Sequence, residues 1–106
     1  MIIKGKESID VANTFYSIGN AYYRAKDYHH AREFYEKCLR IKSKIKGKES
    51  YDVADVYLNL GNVFCGKQDF VTAMDYYQRC LELRIKIKGE SSKDVAETFY
   101  NMSILA

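Results

Sequence analysis

Three side-chain types in this 106-residue chain are placed where they could do chemistry: asparagine amides, tyrosine hydroxyls and cysteine thiols. Asn13, Tyr16, Ser17, Asn20, Tyr23 and Arg24 are spaced so that they fall on one face of a helix. Asp55, Leu58, Asn59, Asn62, Cys65 and Gly66 form a second such series, and Glu97, Tyr100 and Asn101 begin a third. An asparagine amide carries both a donor and an acceptor, so it can pair with a peptide main chain whatever the side chains of that peptide. Tyrosine adds apolar area with a polar tip, a frequent choice at interfaces. The chemistry these residues point to is hydrogen-bond recognition, with no bond made or broken.

The remaining reactive groups argue against catalysis. Cys38 and Cys80 are expected to pack as small hydrophobes. Cys65 falls on the second series, but no histidine or acidic group stands at nucleophile spacing from it. His29 and His30 are adjacent, so on a helix they diverge by about 100° and do not chelate. No metal and no cofactor is expected. Gly5-Lys6 and Gly47-Lys48 lack the rest of a phosphate-binding loop and read as turns, and HExxH and GxSxG are absent. Lys37, Arg40, Lys42, Lys44, Lys46 and Lys48 are expected to form a solvated helix end favourable to the helix dipole. A net charge of +3 is too mild for a nucleic-acid partner.

The elements that must position these residues come from a repeat. Gly5-Lys6-Glu7-Ser8-Ile9-Asp10-Val11-Ala12 recurs from Gly47 and again, more loosely, from Gly89. Residues 5–46 and 47–88 agree at 17 of 42 positions without a gap. Two units (5–46 and 47–88) and the first part of a third (89–106) follow. With no proline, 47% hydrophobic residues and 29% charged, the chain reads as folded and all-α. Helices are expected at about 8–25, 28–46, 50–67, 70–88 and 92–106. Val11, Phe15, Ile18, Gly19 and Tyr22 form the core stripe of the first helix, and Val53, Tyr57, Leu60, Gly61 and Phe64 repeat it. Tyr28, Ala31, Tyr35, Cys38 and Leu39 do the same for the second, echoed from Phe70 to Leu81. Ser8, Ser50 and Ser92 are placed to cap first helices, Asp27 and Asp69 to cap second ones. Asp10, Asp52 and Asp94 favour the dipole in the first turn.

The order Phe15, Ile18, Gly19, Tyr22, Ala31, Tyr35, Cys38, repeated as Tyr57, Leu60, Gly61, Phe64, Ala73, Tyr77, Cys80, resembles the tetratricopeptide repeat. The usual unit has 34 residues. The longer unit here, with its Ser-x-Asp-Val-Ala entry, most resembles the kinesin light chain type. The resemblance covers essentially the whole chain and implies an α-α superhelix of antiparallel helical hairpins, two and a half repeats in five helices. It implies that first helices line a concave groove, so the three series above become groove residues. It nominates Asn20, Asn59 and Asn62 to hold the main chain of a protein or peptide ligand. A chaperone-tail clamp would need cations where Tyr16, Glu97 and Asn101 stand, and that function is not expected. The sparse cysteines, the short apolar start and the lack of an apolar run of membrane length lead to the expectation of a cytoplasmic, non-inserted protein. Phe99, Met102, Ile104, Leu105 and Ala106 lack a following helix to cover them, so self-association through 92–106, as a homodimer, is also expected.

Overall fold

Each hairpin opens on a serine and turns on an aspartate. In the computed structural model, which describes residues 8–89 and 93–105 apart from the side chains of Asp94 and Leu105, five α-helices follow one another. They are α1 (Ile9–Arg24), α2 (Tyr28–Lys46), α3 (Tyr51–Gly66), α4 (Phe70–Lys88) and α5 (Lys93–Leu105). Ser8 Oγ accepts from the Val11 N–H and Ser50 Oγ from the Val53 N–H, both at 3.2 Å. Asp27 Oδ1 accepts from the His30 N–H at 3.3 Å, and Asp69 Oδ1 from the Thr72 N–H at 3.2 Å. These side chains satisfy backbone donors that the first turn leaves without a partner. Gly47 and Gly89 close α2 and α4 at φ 95° and 91°, where an L side chain would be strained. The expected cap Ser92 and the side chain of Asp94 lie outside the described residues.

Successive helices pack on one another: α1 on α2, α2 on α3, α3 on α4 and α4 on α5. The result measures 47 × 31 × 18 Å, and among the described residues there is no strand. Small residues set the close approaches: Ala12, Ala31, Cys38, Ala54, Ala73 and Cys80 are all fully buried. Gly19 and Gly61 are needed for a steric reason. A Cβ at Gly19 would sit 2.8 Å from the Tyr35 ring, and one at Gly61 2.5 Å from the Tyr77 ring. Each hairpin is closed along one edge by aromatic contacts. Phe34 meets Phe15 at 5.8 Å and Tyr22 at 5.7 Å, and Tyr76 meets Tyr57 at 6.0 Å and Phe64 at 5.6 Å. A cation caps each set, Lys37 over Phe34 and Arg79 over Tyr76.

Two sequence expectations need correcting. First, Tyr57 and Phe64 are only half-buried, while Val56 and Val63, outside the expected stripe, are fully buried with Leu60. Helix α3 is wedged between α2 and α4, so it buries a second stripe. Val56, Leu60 and Val63 join one core with Ala31, Tyr35, Cys38 and Ile41 of α2. Second, the basic run is not solvated throughout. Arg40, Lys44, Lys46 and Lys48 are exposed, but Lys42 is only 8% exposed and its Nζ lies 5.4 Å from the centre of the Tyr16 ring. The Tyr16 ring face attracts the cation, and a lysine buries its aliphatic stem at little cost when its charged end is so placed.

Candidate functional site

The side chains expected to recognise a partner lie on α1, α3 and α5, and the structure sorts them into groups. Tyr16, Asn20 and Tyr23 of α1 and Leu58, Asn59, Asn62 and Cys65 of α3 are all half-buried. Five of them take part in hydrogen bonds. Tyr35 Oη donates to Asn20 Oδ1 at 2.5 Å, and Tyr77 Oη donates to Asn62 Oδ1 at 2.5 Å. The Tyr77 hydroxyl also lies 3.7 Å from Cys65 Sγ. Asn59 Nδ2 donates to Tyr16 Oη, which ties α3 to α1 across the boundary between units. Rings fill the intervals: Tyr16 meets Tyr35 at 5.7 Å and Tyr23 meets Tyr28 at 5.8 Å. The Tyr28 ring occupies the space that a Cβ at Gly66 would need.

Other expected residues are placed differently. Asn13, Ser17 and Arg24 are exposed on α1. Asn13 and Ser17 share a shallow depression with Thr14, Ile18 and Ala21. The positions 42 residues after Thr14, Ile18 and Ala21 are Val56, Leu60 and Val63, the stripe α3 buries against α2. Asp55 Oδ1 accepts from Arg84 Nη2 at 2.9 Å, so its carboxylate is engaged within the fold. Glu97 likewise accepts from Arg84 Nη1 at 3.2 Å. Tyr100 is 67% exposed and Asn101 half-buried on α5.

The electrostatics favour donation by the tyrosines. Burial pushes the phenols of Tyr35 and Tyr77 well above their ordinary range, with neighbouring groups adding to it. Burial, and then the Asp55 carboxylate, raises Tyr16 too. All three hydroxyls therefore keep their protons at neutral pH. Burial also pushes the Cys38 thiol up to about 11, so little of it is thiolate. Burial raises Cys80 in the same way.

Sequence reasoning passed over three participants. Tyr35 and Tyr77 were read only as core, although the 15-residue interval from asparagine to tyrosine recurs in both units. Arg84, 3% exposed, was not singled out, although it repeats the position of Lys42.

Among the described residues no helix is long and apolar enough to cross a membrane. Residues 12–44 and 56–92 match family profiles described as Tetratricopeptide repeat, together about two thirds of the chain. Among solved structures, the chain is similar to BtubC (BKLC) from P. vanneervenii, with a TM-score of 0.83 and 30% sequence identity. That likeness covers 92% of this chain and 39% of the other, so the chain spans about two fifths of that protein's length. No curated protein sequence matches it.

Proposed function

This chain belongs to the tetratricopeptide repeat family, whose repeats are in general protein–protein interaction modules, and we propose that it is a scaffold that docks an extended peptide or partner protein on the face formed by α1, α3 and α5. The observation that carries this reading is the row of half-buried Asn20, Asn59 and Asn62 amides set among Tyr16 and Tyr23 on neighbouring helices. Asn13, Ser17, Arg24, Asp55, Leu58, Cys65, Tyr100 and Asn101 flank that row. Groove complementarity does the work, with neither cofactor nor metal. The 42-residue offset between α1 and α3, and between α2 and α4, supports the kinesin light chain-like type with units at 5–46, 47–88 and 89–106. Three free thiols suit a reducing, cytoplasmic setting.

A peptide selected on the chain from a random 12-residue library tests the proposal. Replacing both Asn20 and Asn62 with alanine should weaken its binding by about 1–3 kcal/mol, at about 0.5–1.5 kcal/mol per hydrogen bond. The same change deprives the Tyr35 hydroxyl of its acceptor and leaves the Tyr77 hydroxyl only the Cys65 sulfur, so stability should also fall, by about 1–3 kcal/mol for Tyr35 and less for Tyr77. Binding is therefore measured where both proteins are folded. A folded double mutant that binds equally well would place recognition elsewhere, and a library that yields no peptide would remove the proposal.

A second reading, self-assembly through α5, is favoured by one observation. Phe99, Tyr100 and Ile104 are 53%, 67% and 64% exposed on that helix. Adjoining apolar side chains of this kind tend to find a partner. Sedimentation at high concentration should show a dimer that Phe99→Glu with Ile104→Glu disperses. A strict monomer at every concentration would eliminate this reading.

A further inference from the structure

We infer that the groove has a pocket above Cys65 that takes one aromatic side chain of the docked segment, in the place that the chain's own Tyr23 ring fills one unit earlier. The inference rests on the groove reading above and deepens it, by naming a side chain that the partner presents.

The turns that join α1 to α2 and α3 to α4 are copies of one another. Lys26 and Gln68 stand at φ 64° and 65°. The Asp27 and Asp69 N–H groups donate to the carbonyl oxygens of Tyr22 and Phe64, and those of Lys26 and Gln68 donate to Tyr23 and Cys65, all at 2.9 Å. Asp27 and Asp69 then cap the next helix at φ −90° and −95°, with ψ 79° in both. With the backbones matched, residue 65 stands to residue 70 as residue 23 stands to residue 28.

The side chains differ. In the first turn the Tyr23 and Tyr28 rings meet at 5.8 Å, tilted by 60°. In the second, Cys65 stands for Tyr23 and Phe70 for Tyr28. A thiol does not reach where a phenol ring would lie, so Phe70 loses that ring partner. Gly66 of α3 covers Tyr28 on another side, and the counterpart of Gly66 would lie beyond Ala106. Phe70 is accordingly 50% exposed, while Tyr28 is more fully covered.

The space above Cys65 has defined walls. The Phe70 ring bounds it on the α4 side, and the Tyr77 hydroxyl lies 3.7 Å from Cys65 Sγ at its floor. Tyr23 borders it from α1: burial, then Tyr28, then the Cys65 sulfur hold its phenol above the ordinary range. Cys65 is half-buried, so its side chain meets the groove. An aromatic ring entering from a ligand can pair with Phe70 in the tilted arrangement that Tyr23 and Tyr28 show, which an aliphatic side chain cannot. Anchoring one such ring in a walled site is how a few residues come to carry most of an interface's affinity.

Peptides selected on the whole chain from the 12-residue library should share one aromatic position. Replacing that residue with alanine should weaken binding by about ten-fold or more. Cys65→Tyr rebuilds the ring pair of the first unit, fills the pocket and should weaken the aromatic peptide to a like degree, whereas Cys65→Ser leaves the pocket open and should leave binding nearly unchanged. On Cys65→Tyr the aromatic peptide and its alanine variant should therefore bind alike, the coupling expected of groups in contact. An alanine loss equally large on both proteins would overturn the pocket and leave the groove reading standing. Selected peptides that share no aromatic position would do the same.

A second arm uses the unsubstituted chain. Cys38 and Cys80 are 0% exposed, so modification by a soluble aromatic disulfide reagent reads Cys65. Saturating aromatic peptide should slow that reaction several-fold, and its alanine variant, also at saturation, should slow it much less. Equal protection by the two peptides, or none by either, would overturn the pocket whatever Cys65→Tyr shows. A library that yields no peptide would overturn the groove reading and the pocket together.

Discussion

Replacing Tyr77 with alanine is expected to cost about 3–5 kcal/mol of unfolding free energy, the range for removing a large aromatic from a packed core. Tyr77 is 2% exposed, its ring fills the space that the missing Cβ of Gly61 leaves, and its hydroxyl is bonded to Asn62. Alanine would forfeit the ring's packing and open a void between α3 and α4. With total stabilities of about 5–15 kcal/mol, such a loss takes a large share. Tyr77→Phe separates the two contributions, because it keeps the ring and deletes only the hydroxyl. Its cost should be about 1 kcal/mol, the net value of one hydrogen bond. Denaturant midpoints for the two variants check this. Equal costs would mean that the ring contributes little beyond its hydroxyl.

The second large effect is expected at Arg84. Its guanidinium, with 4% of the side chain exposed, reaches Asp55 on α3 at 2.9 Å and Glu97 on α5 at 3.2 Å. It also donates to Thr98 Oγ1 at 3.0 Å. One side chain of α4 thus ties α5 to the rest of the chain. Breaking a fully buried ion pair costs about 3–5 kcal/mol. Here the two carboxylates are 40% and 56% exposed and water can solvate them once the partner is gone, so about 2 kcal/mol is expected for Arg84→Ala. Arg84→Met should cost less, because it refills the space. In a repeat array the loss falls on neighbouring contacts first. Hydrogen exchange should therefore show α5 losing protection well before α1–α4. Uniform loss across all five helices would contradict this assignment.

These effects also show what could be read from the sequence and what could not. Helix spans were legible because the signals are local. Ser8, Asp27, Ser50 and Asp69 cap where their types and positions imply. The Lys-Ile-Lys-Gly endings stop α2 and α4 at Lys46 and Lys88, as expected. The contact of Gly19 with Tyr35 and of Gly61 with Tyr77 sits on positions that the family pattern marks.

Contacts between units were not legible. Val56 and Val63 are buried because α3 meets α2, while their counterparts Thr14 and Ala21 on α1 are exposed, so no common pattern announced them. Lys42 looks like a solvated lysine until its counterpart Arg84 shows that the position points inward. Two of the asparagine–tyrosine bonds span 15 residues within a hairpin and the third spans 43 between units, intervals outside helical spacing. The asparagines were therefore placed on a face, but which end of each amide is engaged emerged only with the fold.

The most direct measurement is an NMR titration of the whole chain with the library-selected peptide, following side-chain amides and tyrosine rings. The account predicts the largest shifts at the amides of Asn20, Asn59 and Asn62 and at the rings of Tyr16 and Tyr23, with α2 and α4 little changed on their outward surfaces. Shifts confined to those outward surfaces, or to the exposed Phe99 and Ile104 side of α5, would contradict it.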